Sequence, residues 1–286
     1  MVDTVVIGAG GVIGSALMVS LSNQGREVIG TFREEVPGPA LHLDLADESH
    51  NWQLPATIEH AVICAGITDV MRCQHEPRGT WDINVESTCR LIELLHKRGA
   101  QLLYLSSNQV FSGERQNVGV NHPTDPSCEY GRQKVAVERF LARSGQNHQI
   151  LRLGKVVDGP MKIIGDWSRM GEEGCVITPF QDFNLSPIPL NLVISVISDL
   201  LACREFGIFH LTAKDEISYL HLARYWARQH PSVKVKGVIA ADSPELRFFS
   251  RRYASLDCGR LVDVLGMEIP VSQTLLSEMS GSTDNL

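Results

Sequence analysis

The opening stretch of the chain constrains the fold most strongly. Residues 4–32, TVVIGAGGVIGSALMVSLSNQGREVIGTF, begin with a β-branched run at Thr4–Ile7 that suits a buried strand. A glycine cluster follows, and an apolar-periodic helix over about Val12–Asn23 and a strand over Arg26–Phe32 come next. Strand, turn, helix and strand in this order predict the opening of a βαβ unit.

The glycines inside the turn are spaced Gly-x-x-Gly-x-x-Gly. Glycine permits a tight turn and lets a pyrophosphate approach the free N–H groups at a helix N-terminus. A glycine-rich turn without a ligand would show the same spacing, but its place between a strand and a helix favours dinucleotide binding. We predict cofactor contacts from Gly8, Gly11, Val12, Ile13 and Gly14.

Strand and helix patterns alternate along the rest of the first half. Strands are predicted at Ala61–Ile67, 101–107 and 149–157, with helices at Trp81–Gly99 and about Ser127–Arg143. This alternation predicts an α/β fold with a Rossmann-type doubly wound parallel sheet, whose ligands bind at the carboxyl ends of the strands. A helix over about Asn191–Arg204 and a strand over Ile208–Leu211 are predicted to return to this sheet.

Composition excludes several classes of protein. A net charge of −7 argues against general nucleic-acid binding. The seven cysteines form no Cys-x-x-Cys and the ten histidines no His-Glu-x-x-His, so we expect no disulfide framework and no metal site. No apolar run reaches membrane-spanning length, and the chain starts directly with the first strand. A cytoplasmic protein without a membrane partner is therefore expected.

A tyrosine and a lysine stand four residues apart in CEYGRQK, residues 128–134. On a helix, Tyr130 and Lys134 would share one face. A nearby ammonium would stabilise the phenolate and lower the phenol pKa from about 10, which would make Tyr130 a proton donor. The alternative is a surface tyrosine beside a solvated lysine.

Several motifs in order resemble an extended short-chain dehydrogenase/reductase, in particular the dTDP-4-dehydrorhamnose reductase family. The likeness covers most of the chain and rests on the glycine loop and the segments LDLAD, CAGIT, YLSSNQVFSG, PTDPSCEYGRQK, LRLGKVVDGP and YASLDCGRLVDVLGMEIP. The resemblance implies a Rossmann domain at residues 1–157 and 185–213. It also implies a smaller, discontinuous substrate lobe at residues 158–184 and 214–286, whose last ten residues we expect to be frayed.

The resemblance also implies roles for individual residues. Asp44 and Leu45 would contact adenine, Cys64, Ala65 and Gly66 would line the nicotinamide ribose, and Asn84 would steady the site. Tyr130 would protonate a ketone oxygen as hydride arrives, and Ser107 would orient the carbonyl. Lys134 would bind the ribose and, together with the oxidised nicotinamide ring, bring the pKa of Tyr130 to about 7–8.

Cofactor preference is predicted from the end of the second strand. An acid there usually selects NAD, but this chain has Thr31, with Arg33 two residues on. Arg33 suits the additional phosphate of NADP, although Glu34 or Glu35 would repel that phosphate if turned inward. We predict NADP, bound as NADPH, as the cofactor.

Two further features bear on the substrate. The resemblance places Asn108 and Gln109 near the sugar, where the rhamnose-type reductases have Asp-Tyr and sugar-nucleotide dehydratases an acid pair. Because neither side chain ionises, dehydration is not expected. Arg247, Arg251 and Arg252 form a basic cluster, of which Arg251 and Arg252 are candidates to hold a nucleotide diphosphate; a solvated basic face is the alternative.

The sequence therefore leaves two classes of function open. The first is an NADP-dependent reductase of a 4-keto sugar nucleotide, with a sugar-nucleotide epimerase as a variant and a homodimer as a possible assembly. The second is a non-catalytic NADP-binding subunit that regulates a partner. The complete set of Ser107, Tyr130 and Lys134 favours the enzyme, yet the same residues would also bind ribose.

Overall fold

The computed structural model describes residues 2–34, 36 and 40–281 of the chain. Within the described residues the chain divides into two compact units. The first comprises Met1–Val110, Thr124–Arg152 and Val193–Phe209, and the second comprises Phe111–Pro123, Leu153–Leu192 and His210–Leu286. These boundaries differ from the predicted ones, chiefly because Phe111–Pro123 belongs to the second unit.

Within the described residues, seven strands form one sheet and four others form two sheets of two strands each. The strands are β1 (Val2–Ile7), β2 (Val28–Phe32), β3 (Leu41–His42), β4 (Ile58–Ile63), β5 (Gln101–Ser107), β6 (His148–Leu153), β7 (Lys155–Val157), β8 (Asn184–Leu185), β9 (Pro187–Pro189), β10 (Gly207–Leu211) and β11 (Ile217–Ser218).

The large sheet has the order β10-β6-β5-β4-β1-β2-β3. Strand β1 lies between β2 and β4 and pairs in parallel with both; Val5, for example, lies opposite Ile29 and Ala61. The strand order reverses at β1, which makes the carboxyl ends of β1 and β4 the switch point where ligands of such sheets bind. The predicted doubly wound parallel sheet is confirmed.

One of the predicted helices differs in the structure, and several short helices of the described residues were not predicted. They are α1 (Val12–Asn23), α2 (Val70–His75), α3 (Pro77–Trp81), α4 (Thr88–Lys97), α5 (Glu129–Arg143), α6 (Lys162–Glu172), α7 (Leu190–Ala202), α8 (Tyr219–Ala227), α9 (Gly259–Leu265) and α10 (Leu276–Ser280). The helix predicted over Trp81–Gly99 is two segments, because a π-helical turn at Asp82–Ser87 separates α3 from α4.

Each unit has its own apolar core. In the first, side chains of the parallel strands, such as Ile63 and Tyr104, pack with Leu91 and Leu95 of α4 and Leu141 of α5. The second is built around the indole rings of α6 and α8, whose centres lie 6.1 Å apart. Burial of such side chains is the main stabilising contribution in each unit.

The predicted fraying of the tail is wrong for residues 277–281. Helix α10 continues to Ser280, and Met279 is fully buried in the core of the second unit. Polar composition suggested a loose end, but Leu276 and Met279, three residues apart, share one face of the helix and are both buried. The last five residues of the prediction, 282–286, lie outside the described part of the chain.

Candidate active site

The glycine loop is closed so tightly that side chains would not fit. Gly8 has a positive φ of 86°, and a Cβ there would lie 2.8 Å from the backbone nitrogen of Ala65. At Gly14, inside α1, a Cβ would collide with the Gly8 carbonyl oxygen. Gly11 caps α1 without a side-chain hydrogen bond, so this helix end presents backbone to a ligand. The loop therefore fits a pyrophosphate cradle.

Thr31, at the end of β2, supports the glycine loop from below. It is fully buried, its hydroxyl accepts a hydrogen bond from Gly8 N at 3.1 Å, and its carbonyl accepts one from Ala9 N at 2.9 Å. NAD-binding sheets usually have an acid near this position. Here Thr31 occupies it and is hydrogen-bonded to the glycine loop.

The other residues predicted at the adenosine end lie after β2 and β3. Arg33 is exposed and its guanidinium is 3.5 Å from the Glu34 carboxylate, while Glu35 lies outside the described residues. Asp44 accepts a hydrogen bond from Ala46 N at 2.9 Å through its carboxylate, and its carbonyl accepts one from the Trp52 indole. Leu45 is buried. Arg33 therefore has a charged end available to a ligand phosphate.

Residues Cys64–Ile67, here called the Cys64–Ile67 loop, follow β4 and are held by Asn84. The Asn84 Oδ1 accepts from Ile67 N at 2.7 Å, and its Nδ2 donates to Ile67 O at 2.9 Å. Gly66 has a φ of 145°, and a Cβ there would lie 3.2 Å from Asn84 Oδ1. Asn84 belongs to the π-helical turn, a feature often found at functional sites. Burial raises the pKa of the Cys64 thiol to about 12, so it stays protonated.

Helix α5 presents Tyr130 and Lys134 on one buried face, as the spacing predicted. Cys128 caps the helix by accepting a hydrogen bond from Gly131 N at 3.4 Å. The Lys134 ammonium donates to the Leu105 carbonyl of β5 at 2.9 Å and lies 4.6 Å from the centre of the Tyr104 ring. The alternative of a solvated lysine beside a surface tyrosine is therefore wrong, because both side chains are over 90% buried.

The expected lowering of the Tyr130 pKa is not found. Burial raises the pKa of the phenol above its usual value, and the Cys73 and Cys128 thiols raise it further. Burial also lowers the pKa of Lys134, to about 8, although the Glu138 carboxylate opposes this shift. The spacing correctly predicted that Lys134 lies near the phenol. It could not predict that both groups are removed from water, and this desolvation dominates the pKa of Tyr130.

Ser107 ends β5 and is nearly buried. Its hydroxyl accepts a hydrogen bond from Gln109 N at 3.1 Å, and the Gln109 amide oxygen accepts from the Cys128 thiol at 3.7 Å. A side chain at Gly131 would collide with the Gln109 carbonyl oxygen, so α5 lies directly against the Asn108–Val110 turn. The segment predicted to contact the sugar is thus fixed to the N-terminus of the helix that carries Tyr130.

An ion pair that the sequence analysis missed anchors α5 to the sheet. Arg152 of β6 binds Glu138 through two hydrogen bonds, of 3.0 and 2.7 Å, and the Ser106 hydroxyl donates to the same carboxylate at 2.6 Å. All three side chains are buried. Glu138 lies four residues after Lys134, so helical spacing alone could have placed it on the same buried face of α5.

The two arginines predicted to hold a diphosphate have different surroundings in the second unit. Arg251 is 3% exposed and donates a hydrogen bond to the Phe111 carbonyl at 2.9 Å. Arg252 is exposed, with its guanidinium 5.3 Å from the centre of the Tyr253 ring. Arg251 thus has a structural contact of its own, so Arg252 is the better candidate for the phosphate contact, which stays a prediction.

The described residues contain neither a candidate membrane span nor a candidate metal site. No described helix combines the length and the apolarity required to cross a bilayer. Over the same residues, no cluster of three or more histidine, cysteine, aspartate or glutamate side chains is arranged to hold a metal ion.

Comparison with known proteins identifies the family. A sequence model of the RmlD substrate binding domain family matches residues 2–283. The chain is 26% identical over 227 residues, 74% of its length and 75% of the relative's, to "Probable low-salt glycan biosynthesis reductase Agl14" from Haloferax volcanii. Other relatives are named dTDP-4-dehydrorhamnose reductase or UDP-glucose 4-epimerase.

Two further matches cover nearly the whole chain. A zebrafish (Danio rerio) relative named methionine adenosyltransferase 2 subunit beta is 22% identical over 92% of this chain and 85% of its own. A solved dTDP-4-dehydrorhamnose reductase from Bacillus anthracis in complex with NADP superposes with a TM-score of 0.78. It is 21% identical and covers 96% of each chain, so this likeness supports the fold.

Proposed function

Because the chain belongs to the RmlD substrate binding domain family, we propose that it is an NADP-dependent reductase of a 4-keto sugar nucleotide. Members of this family are NADPH-dependent oxidoreductases, so the predicted enzyme class is confirmed. The observation that carries the proposal is the burial of Tyr130 and Lys134 on one face of α5. A proton donor and a cation in that arrangement suit the reduction of a ketone.

The cofactor would be held by backbone and by few side chains. Gly8, Gly11 and Gly14 would hold the pyrophosphate, and the close backbone packing at Gly8 and Gly14, where a Cβ would collide with Ala65 and with the Gly8 carbonyl, supports this assignment. The Cys64–Ile67 loop would line the nicotinamide ribose, and Arg33 would bind the 2′-phosphate. The solved Bacillus anthracis neighbour with bound NADP supports this choice of cofactor.

When bound, NADPH would supply the hydride for the ketone carbon. Tyr130 donates the phenol proton to the ketone oxygen; its pKa lies above neutral pH, so the phenol carries that proton before the reaction. Lys134 stays cationic below a pH of about 8 and stabilises the phenolate left behind. Ser107 donates a hydrogen bond to the same oxygen and orients the carbonyl.

The residues beside Ser107 narrow the chemistry on the sugar. Asn108 and Gln109 are neutral, and the Gln109 amide oxygen is engaged by the Cys128 thiol. Neither side chain can serve as the acid or base that removal of water from the sugar requires. Reduction is therefore favoured over dehydration. Because the rhamnose-type reductases have Asp-Tyr at these two positions, the sugar bound here would differ from theirs.

The test measures the oxidation of NADPH by its loss of absorbance, with a panel of 4-keto sugar nucleotides that differ in base and in sugar. We expect one member of the panel to be turned over and its product to carry a new hydroxyl at C4. An epimerase would instead interconvert two sugar nucleotides without net loss of NADPH. Absence of turnover across the panel, despite tight NADPH binding, would refute the reductase.

A specific observation favours a second candidate, a non-catalytic NADP-binding subunit. The zebrafish relative that matches 92% of this chain is named as a subunit of a methionine adenosyltransferase. Such a protein would bind NADPH through the same glycine loop without consuming it. Affinity purification from the source cell, with and without added NADPH, would reveal a stable partner enzyme if this candidate is right.

Assembly and location remain proposals as well. We propose a homodimer in the cytoplasm, and light scattering of the purified protein together with cell fractionation would test both.

A further inference from the structure

We propose that Gln133 is a positioning residue that couples the Cys64–Ile67 loop to helix α5. Gln133 lies between Tyr130 and Lys134 in the sequence and is 1% exposed. The proposal rests on the proposed function, since it concerns how the proton donor and the cofactor are aligned.

Both ends of the Gln133 amide are engaged. Its Oε1 accepts a hydrogen bond from Asn84 Nδ2 at 2.7 Å, and its Nε2 donates to the Thr80 hydroxyl at 2.9 Å. The Thr80 hydroxyl in turn donates to the Glu76 carbonyl at 2.9 Å. Gln133 therefore ties α5 to α3 and to the π-helical turn at once.

The surrounding contacts fix the direction of each bond. Ile67 N can only donate, so it must face Asn84 Oδ1, which leaves Asn84 Nδ2 to face Ile67 O and Gln133. Gln133 must then present its oxygen to Asn84 and its nitrogen to Thr80. A network in which each amide orientation depends on the next specifies one arrangement of the three segments.

This network sets the distance between two parts of the reaction centre. The Cys64–Ile67 loop is anchored by Asn84, and Asn84 is anchored to α5 only through Gln133 among the hydrogen bonds described for its side chain. Helix α5 carries the proposed proton donor. Loss of Gln133 would leave the loop attached to the π-helical turn but free to shift relative to Tyr130.

The alternative is that Gln133 only fills the core. Gln149 offers a matched control, because it is buried in the same unit and its amide is also hydrogen-bonded to other elements: it donates to Leu200 O at 2.7 Å and to Glu205 O at 2.9 Å. Its partners belong to the end of α7 and the segment after it, none of which has a proposed role in the reaction. General loss of stability should therefore look alike in Gln133→Leu and Gln149→Leu.

The experiment compares wild type, Gln133→Leu, Gln133→Asn and Gln149→Leu by NADPH titration and by hydrogen–deuterium exchange of the Cys64–Ile67 amides. Neither readout needs turnover, so failure of the reductase assignment stays distinguishable from failure of this proposal. We expect NADPH binding to weaken on the order of tenfold in Gln133→Leu, with faster exchange at the Ile67 amide. Gln149→Leu should match wild type in both.

Gln133→Asn guards against a variant that fails to fold. It keeps an amide, but one methylene fewer prevents it from joining Asn84 and Thr80 together, so we expect the same changes in smaller measure. Wild-type NADPH affinity and wild-type loop exchange in the folded Gln133 variants would overturn the proposal. Equal changes in Gln149→Leu would also overturn it.

Discussion

The ammonium nitrogen of Lys134 lies 5.6 Å from the centre of the Tyr130 ring. It is held there by the Leu105 carbonyl, to which it donates a hydrogen bond. The cation is thus fixed by the main chain of β5 and does not depend on the phenol for its position. Changes to the tyrosine hydroxyl and changes to the lysine should therefore have separable effects.

Tyr130→Phe tests the proton donor. The variant keeps the ring and its packing but has no proton to give, so turnover should fall roughly 10²–10⁴-fold. NADPH affinity should change little, because Lys134 keeps its place. Steady-state NADPH oxidation and a cofactor titration measure the two quantities. Tyr225→Phe, in the core of the second unit, is the matched control. Equal turnover in Tyr130→Phe and wild type would contradict the mechanism.

Lys134→Met tests the cost of the buried cation through the pH dependence of stability. The pKa of Lys134 is about 8 in the folded protein, against 10.5 for a free lysine side chain. Between these values the unfolded chain binds more protons, so the contribution of Lys134 to stability rises with pH. The wild-type free energy of unfolding should therefore gain on that of the variant as pH rises from 8 to 10.5.

Urea unfolding of both proteins at several pH values measures this difference. Lys97→Met, at the exposed end of α4, serves as the control for loss of a lysine. A constant difference between wild type and Lys134→Met across this range would show that the ammonium is solvated.

Arg33→Ala tests the cofactor preference. The guanidinium is exposed and bridged only weakly to Glu34, at 3.5 Å. Removing a charged contact to the 2′-phosphate should weaken NADPH binding about tenfold and leave NADH binding nearly unchanged. Calorimetric titration with both cofactors decides the matter. Arg169→Ala, another exposed arginine paired with a neighbouring acid, is the control. An unchanged ratio of NADPH affinity to NADH affinity would show that Arg33 does not contact the 2′-phosphate.

Arg251→Ala and Arg252→Ala should separate a structural from a ligand-binding role. Arg251→Ala removes a buried charged donor to Phe111, so we expect a stability loss of about 1.5–3 kcal/mol. Arg252→Ala should leave stability nearly unchanged and raise KM for the sugar nucleotide about tenfold. Thermal unfolding and steady-state kinetics provide the measurements. An unaltered KM in Arg252→Ala would indicate that this arginine belongs to a solvated basic face and does not bind the substrate.

The sequence predicted the structure correctly where the conformation depends only on neighbouring residues in the chain. Gly8, Gly11 and Gly14 could be predicted as a tight loop from their spacing, and at Gly8 and Gly14 no other residue type fits the close backbone approaches. The parallel sheet followed from the alternation of apolar strands and periodic helices. Tyr130 and Lys134 were placed on one face because helical periodicity alone determines it.

Long-range contacts could not be predicted in this way. Arg251 bonds Phe111 across 140 residues, and a cluster of arginines in a sequence looks the same whether it is solvated or buried. The π-helical turn at Asp82–Ser87 contains no glycine or proline that would mark it in the sequence. Gln133 was missed because its partners Thr80 and Asn84 lie on other elements, and the Tyr130 pKa because burial is not encoded in spacing.

The buried hydroxyl of Thr31 limits how this protein could be re-engineered to use NADH. Replacing the residue near the end of β2 with aspartate is the obvious design, but here it would put a carboxylate in a fully buried position. It would also exchange the short hydroxyl that accepts from Gly8 N for a longer side chain, which would push on the glycine loop. A successful redesign would therefore keep Thr31 and change the exposed positions 33 and 34 instead.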